Sequence, residues 1–360
     1  MLTIPAHIQK LAQFTDIHYG ARDANKEHGP IHNQDCHDFV EFFCDEVTSD
    51  KDIDALGFWG DWNQNRSAIN LETLKFAYEG AKKIDSLGLP VYCTLGNHDL
   101  YRRNSREIHS LHFFEQFKNF HLIEEPTVVE NKGFKDFLVV PFLMHGEYAD
   151  LVKFNKIPIW FGHFEFNGYE ITGHGMEMTG GADPDNFQEP ELIVSGHFHK
   201  RQAKPGKNIA YMGNPFPTSY GDSGDINRGY ATYDFRNDEM IFFDWEAGPK
   251  YIKTVLSDIM DGKVVMDDMT YVKCIVDVPI SYEESADIHR EMVANFSPRE
   301  FILEESIELT DIVTDTSVKD KKWAGDEMAT LDEMVVEMFA EVDSEHISSD
   351  ILVDIYQGLG

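Results

Sequence analysis

An α/β fold is predicted by two features of the 360-residue chain. Short apolar runs alternate with helical patterns through the N-terminal half, and five words rich in His, Asp and Asn each stand at the end of such a run. Strands separated by helices build a sheet buried on both faces. Lys10–Thr15 reads as the first strand. A helix follows, with Phe39, Val40, Phe43 and Val47 at helical spacing. Leu56–Trp59 and Pro90–Leu95 are further strands. Between them Leu71–Leu87 is helical, with Leu71, Leu74, Ala81 and Ile84 on one face. Ser105–Phe117 is read as another helix, and Ile157–Phe161 and Leu192–Val194 as strands. The texture then turns β-like in Ile209–Met212, Gly229–Phe235 and Met240–Trp245.

Turn residues at Glu246-Ala-Gly-Pro-Lys250 mark a boundary, so residues 1–247 are read as one domain. Residues 248–310 read as a small α+β domain. There Val272, Cys274, Val276 and Val278 alternate on one face of a strand. Ser281 and Glu284 form a capping box that opens a helix running through about Phe296, and Glu300–Leu309 reads as a strand. Residues 311–360 read as an acidic linker and helical tail, with 13 acids against 3 lysines. In the tail Leu331, Met334, Val335, Met338 and Phe339 fall on one face of an amphipathic helix, and Ile347, Ile351 and Ile355 suggest a second.

The net charge of −33 rules out attraction of the whole surface to nucleic acid or anionic membrane, since phosphate is repelled at long range. Any DNA contact needs a local basic patch or bound cations. Cys36, Cys44, Cys93 and Cys274 show no CxxC spacing and read as reduced thiols. No signal-peptide pattern opens the chain, and no run approaches the ~18 apolar residues of a membrane span. A soluble cytoplasmic protein is expected.

The five words are Asp16-Ile-His18, Gly60-Asp61, Gly96-Asn97-His98-Asp99, Gly162-His163 and Gly196-His197-Phe-His199. Ligands of open α/β sheets bind beyond the carboxyl ends of the strands, so sequence-distant words can converge at one edge. In extended chain, residues i and i+2 point the same way, which lets Asp16 act with His18 and His197 with His199. Carboxylates and neutral imidazoles suit manganese, iron or zinc. Asp61, between the two sets, can bridge two ions, and two ions ~3.5–4 Å apart can activate water and stabilise an in-line phosphoryl displacement. No single word is specific; the ordered set of five is.

These words resemble the calcineurin-like metallophosphoesterase superfamily over about residues 10–245. Within it the chain is similar to the SbcD-type DNA repair nucleases and their phage counterparts. That narrower likeness rests on Gly162-His-Phe-Glu-Phe-Asn-Gly168, Ser195-Gly-His-Phe-His199, Tyr211-Met-Gly-Asn-Pro215 and Arg228-Gly-Tyr230. The resemblance implies a two-sheet sandwich flanked by helices, with a small α+β capping domain that touches DNA and a helical C-terminal tail. It implies that Asp16, His18, Asp61 and His199 hold one metal and that Asp61, Asn97, His163 and His197 hold the other. The family metal is usually manganese, and magnesium, iron or zinc would also fit. His98 would stabilise the transition state or protonate the leaving oxygen, with Asp99 orienting it. One departure is Gln64, where relatives carry His or Asp three residues after the bridging Asp; glutamine cannot shuttle a proton. Asn63, Asn65 and Arg66 nearby are candidate phosphate contacts.

Lys200, Arg201, Lys204 and Lys207 form an acid-free basic loop, and Arg102, Arg103 and Arg106 follow the GNHD word. Both groups are expected to line a DNA path. The resemblance further implies a manganese-dependent exo- or endonuclease acting on double-strand DNA ends in recombination and repair. Its partner would be an ABC-type coiled-coil ATPase, docked through residues 326–360, and its compartment the host cytoplasm if the chain is a phage protein. A homodimer is expected through Leu74, Leu111, Phe113 and Phe114. Two other readings stay open. One is a phosphomonoesterase or cyclic-nucleotide phosphodiesterase with the same metal centre, mildly favoured by the negative charge. The other is a non-catalytic scaffold for the ATPase, disfavoured by the complete ligand set. The protein-phosphatase word GDxVDRG is absent, since Trp62-Asn-Gln-Asn-Arg66 follows Asp61.

Overall fold

The computed structural model describes residues 2–22, 29–171 and 175–305. All of these lie in one unit, Met1–Ser306. The tail 311–360, with its expected helices and its ATPase-docking segment, lies outside the described residues, as does the end of the Glu300–Leu309 strand.

Two mixed sheets dominate. One has the order β15-β14-β2-β3-β4-β7. Its strands are β2 (Lys10–Phe14), β3 (Ala55–Phe58), β4 (Val91–Thr94), β7 (Phe120–Ile123), β14 (Gly229–Asp234) and β15 (Glu239–Asp244). β2, β3, β4 and β7 run parallel, and β14 is antiparallel to both β2 and β15. The other has the order β1-β8-β9-β10-β11-β13-β12. Its strands are β1 (Leu2–Ala6), β8 (Thr127–Asn131), β9 (Phe137–Val140), β10 (Ile159–Gly162), β11 (Leu192–Ser195), β12 (Gln202–Ala203) and β13 (Ile209–Tyr211). β9, β10, β11 and β13 are parallel.

The period-2 alternation of these strands sorts their side chains into three apolar layers. Leu11, Ala55, Val129, Phe137, Val139, Ile159, Phe161, Val194 and Tyr233, drawn from both sheets, share the central layer. Ala12, Phe14, Leu56 and Phe58 face away from it and pack on α1 (Gly29–Ser49) and α2 (Leu71–Asp85). Leu138, Val140, Trp160 and Ile193 form the opposite outer layer with Leu151 and Phe154 of the 3-10 segment His145–Phe154. The two-sheet sandwich flanked by helices is thus the observed fold.

Phe39, Val40, Phe43 and Val47 of α1 are buried, as their spacing predicts. α2 differs. Its buried face is Thr73, Ala77, Gly80, Ala81 and Ile84, whereas Leu71 is 84% and Leu74 40% exposed. Small residues win this face because it lies on Tyr19 and Trp62; a Cβ on Gly80 would run into the Tyr19 hydroxyl. Asn70 caps α2 through its side chain to the Thr73 amide. Ser105–Phe117 is not a helix. It forms β6 (Ser105–His109), paired antiparallel with β5 (Leu100–Arg102), and then the 3-10 segment Ser110–Gln116. Leu111 and Phe114 there are fully buried in the core, which removes them from an exposed dimer face.

A third sheet, β16 (Lys250–Val255), β17 (Thr270–Val276) and β18 (Glu300–Glu305), is all parallel, with α3 (Leu256–Met260) and α4 (Tyr282–Phe296) as its connections. Its own core holds Leu256, Met266, Val272, Cys274 and Phe301. The Ser281–Glu284 capping box opens α4. Arg22 donates to the Tyr251 hydroxyl at 2.9 Å, Tyr220 donates to Glu300 at 2.8 Å, and Arg299 pairs with Asp35, fastening the module to the sandwich. Among the described residues no helix is long and apolar enough to cross a membrane.

Phe161 stacks on Trp59 in the central layer, with centroids 4.9 Å apart and an 11° interplanar angle. Phe161→Ala is expected to cost about 3–5 kcal/mol, read as a lowered urea midpoint with unchanged slope. A cost below about 1 kcal/mol would mean that the sheets do not share that layer.

Candidate metal centre

Each of the five words leaves the carboxyl end of a parallel strand: β2, β3 and β4 in one sheet, β10 and β11 in the other. The loop after β2 continues the pairing with the loop after β3. The amides of Asp16, His18 and Tyr19 donate to the carbonyls of Gly60, Asp61 and Trp62 at 3.0, 3.1 and 2.8 Å. The second sheet is joined in the same way, since the amide of Gly196 donates to the carbonyl of Gly162 at 3.0 Å. Asp16, His18, Asp61 and His197 all take left-handed backbone, with φ of 53, 53, 61 and 88°. Non-glycine residues adopt this region at a cost of ~1–3 kcal/mol, and such strain gathers where a side chain must be aimed. Gly60, at φ 97°, carries no Cβ because one would meet the Gly96 amide at 2.5 Å and His163 Nδ1 at 2.7 Å. A Cβ on Gly96 would collide with the Asp61 carboxylate.

Donor atoms therefore converge. Those of Asp16, His18 and His199 lie within 4.8 Å of one another, and so do those of Asp16, Asp61 and His163. His18 Nε2 and His199 Nε2 approach to 3.0 Å. Asp61 Oδ2 stands 3.7 Å from His18 Nε2 and 3.5 Å from His163 Nε2, between the two sets. Its other oxygen accepts from the His98 amide at 2.7 Å. Asn97 Oδ1 lies 3.0 Å from His163 Nε2 and 2.8 Å from His197 Nδ1.

The donor chemistry fits divalent cations. His163 Nδ1 donates to the Trp59 carbonyl at 2.8 Å, which leaves a lone pair on Nε2 facing the oxygens of Asn97 and Asp61. That cluster of acceptors needs either an extra proton or a cation. His197 Nε2 lies 3.1 Å from Glu165, so its Nδ1, toward Asn97, is the nitrogen left to ligate a cation. A carboxylate behind a ligating imidazole fixes its tautomer. Sequence reasoning did not single out Glu165, although it stands in the Gly162–Gly168 word two residues after His163.

Electrostatics follow from burial. Burial pushes the His199 imidazole down to about 4, with His18 beside it acting in the same direction, so the ring is neutral. Burial disfavours charge on Asp61, but His163 and His18 outweigh it and hold the carboxyl well below its ordinary value. Burial opposes charge on His163 too, yet Asp61 and Asp16 carry it up to about 9. Burial lowers His98, and His18 and Arg66 add to that against the pull of Asp61.

Asp99 does not orient His98. Its carboxylate accepts from the amides of Asp61, Trp62, Asn63 and Gly96 at 2.8, 3.1, 3.3 and 2.9 Å, which leaves it committed to folding the two loops together. Burial, then the neighbouring Asp61, raise it to about 7 against those amide bonds. The His98 ring is held instead by the Gln64 carbonyl, which accepts from Nδ1 at 2.9 Å. Position 64 thus acts through its backbone, which no side-chain pattern signals.

The basic loop is not a free patch. Lys200 pairs with Glu170 at 2.5 Å, Arg201 with Asp244 at 2.7 Å and Lys204 with Glu177 at 3.1 Å, and Lys207 pairs with Asp185. Arg106 is held bidentately by Glu147. Arg102 and Arg103 are exposed, and among the described residues neither has a carboxylate partner, nor does Arg66. Burial and then Arg103 depress the Arg66 guanidinium, so these two cations share one field beside Asp61.

Residues 9–201 match the calcineurin-like phosphoesterase family, and the chain belongs to it. The family uses a dinuclear metal centre, and the residues gathered around Asp61 are the candidate ligands. The chain is 29% identical over 188 residues to "Exonuclease subunit 1" of Enterobacteria phage T4, covering 51% of this chain and 54% of that protein. It thus spans about half the length of that relative. Among solved structures it is similar to a dimetal phosphatase from Danio rerio (10% identity, TM-score 0.40, 66% of this chain and 96% of that one). It is also similar to an archaeal phosphodiesterase (9% identity, TM-score 0.35, 65% and 99%).

A cation held at His163 Nε2 would have to displace the proton that Asp61 and Asp16 favour there. Below pH about 9 the apparent affinity for manganese should therefore rise with pH, by about tenfold per unit for one displaced proton. Calorimetric titrations of metal-free protein across that range check this; an affinity independent of pH would overturn it.

Proposed function

We propose that this chain is a metal-dependent DNA nuclease that processes double-strand ends in recombination and repair, as the nuclease subunit of a complex with an ABC-type coiled-coil ATPase. The observation that carries the reading is the double set of ligands with Asp61 Oδ2 between them and the His98 amide on its other oxygen. The likeness to a protein named as an exonuclease subunit supports DNA as the substrate and the presence of a partner.

When bound, a pair of divalent cations, manganese foremost and otherwise magnesium, iron or zinc, supplies Lewis acidity and an activated water. Asp16, His18, Asp61 and His199 would hold one, and Asp61, Asn97, His163 and His197 the other. Because Nδ1 of His98 is bound to the Gln64 carbonyl, Nε2 is the ring nitrogen left to exchange a proton with the leaving oxygen. Arg66 and Arg103, which lack carboxylate partners, are the cations best suited to phosphate oxygens. Lys200, Arg201, Lys204 and Lys207 serve DNA by exchanging partners. Their ion pairs are partly exposed and worth only ~0–1 kcal/mol, so phosphates can replace the carboxylates at small cost. Self-association would involve the exposed Leu71 and Leu74 of α2.

The test is manganese-dependent nucleotide release from end-labelled linear duplex DNA. His98→Ala should lower the rate by about 10²–10⁴-fold with manganese binding unchanged. Hydrolysis of small phosphoesters without release from DNA would overturn the nuclease reading in favour of a small-substrate phosphoesterase. For the partner, deleting residues 326–360 should abolish co-purification with the ATPase and leave metal binding intact. Undiminished co-purification would remove the tail from the interface.

A further inference from the structure

β6 ends at His109, Ser110 opens the next turn, and His112 follows within it; Glu124 comes directly after β7. Three sequence-separated groups meet there. His109 Nε2 lies 2.7 Å from Glu124 Oε1. The rings of His109 and His112 stack with centroids 3.8 Å apart and 28° between planes. One nitrogen of each ring and one oxygen of Glu124 fall within 4.8 Å of one another. Glu115 Oε1 stands 3.2 Å behind His112 Nδ1.

We propose that His109, His112 and Glu124 form a further divalent-metal site, suited to zinc, that shares no ligand with the centre at Asp61. The donor set is two imidazoles and one carboxylate, a combination that zinc takes at ~2.0–2.2 Å with a fourth position left for water. Donors around such an ion sit about 3.4 Å apart, inside the 4.8 Å span the three groups already share. The two side chains that must adjust, His112 and Glu124, are 51% and 45% exposed, so they can turn and an ion can enter. His109 is the fixed anchor. Its side chain is fully buried, and Nε2, the nitrogen facing Glu124, is the one placed to meet the ion. Burial also keeps the ring in the neutral, ligating form, with His112 acting in the same direction against Glu124. Glu115 stands ready to hold the second nitrogen of His112, the usual companion of a ligating imidazole.

The site sits on a segment that matters to the main centre. Ser110, between the two histidines, donates its amide to the Asp99 carbonyl at 2.8 Å and its hydroxyl to the Asp99 carboxylate at 3.3 Å. It also accepts from Asn63 Nδ2 at 3.1 Å. An ion clamping His109 and His112 to Glu124 therefore braces the loops that carry His98 and Asp61.

The test is zinc loading of the metal-stripped full chain, with stoichiometry measured by elemental analysis after gel filtration. Wild type should retain about three zinc ions and His112→Ala about two, while His112→Cys, which keeps a zinc ligand, should retain all three. Asp61→Asn should keep the ion at this site, and zinc should still raise its melting temperature; in Asp61→Asn with His112→Ala that rise should vanish. Equal zinc content in wild type and His112→Ala, or loss of this ion in Asp61→Asn, overturns the proposal. The readout needs no substrate, so it stands apart from the nuclease assay.

Discussion

The buried carboxylate of Asp99 is the fastening on which the centre depends. Four backbone amides, three from the loop after β3 and one from its own loop, end on its two oxygens. An amide left unpaired in such a place costs ~1–3 kcal/mol, so these bonds hold the two loops together. With the loops held, the Asp61 carboxylate has only one place to go. It is wedged against Gly96, takes the His98 amide on one oxygen and turns the other toward His18 and His163.

Around that fastening the chain stores strain rather than avoiding it. Four of the residues aimed at the centre carry left-handed backbone that only glycine adopts freely. The cost is tolerable because a three-layer apolar core surrounds the strands that deliver them. The central layer, with Phe161 on Trp59, binds the two sheets together, and the words come from both sheets. Sheet packing thus decides whether half of the ligands meet the other half.

Charge is handled locally. A chain of net charge −33 places histidines on its buried carboxylates and neutralises its basic loop with acids from elsewhere in the fold. Arg66, Arg102 and Arg103 have no carboxylate partner among the described residues, and Arg66 feels the fields of both Arg103 and Asp61. A local cationic field near phosphate chemistry is compatible with a surface that repels nucleic acid at a distance.

The candidate ligands were legible in the sequence because their signal is local. An Asp, His or Asn just past an apolar run, often beside glycine, is a short-range pattern, and a parallel strand delivers it to a shared edge whatever the rest does. The same held for the buried stripe of α1 and the capping box of α4, which depend on spacing within one element. What failed depended on partners far away in sequence. Ser105–Phe117 reads as a helix, but pairing of Leu100 with His109 draws Ser105–His109 into a hairpin and leaves only the 3-10 segment Ser110–Gln116. Leu74 fits an apolar face until close approach of Tyr19 and Trp62 selects Ala77 and Gly80. The lysines of the basic loop read as free because Glu170, Glu177 and Asp185 lie 22 to 30 residues away. The sequence by itself determined which residues are the candidates for the chemistry. Tertiary structure alone decided which oxygen holds His98, what Asp99 is for and which cations remain to meet a phosphate, because hydrogen bonds and ion pairs form between whatever the fold brings within reach.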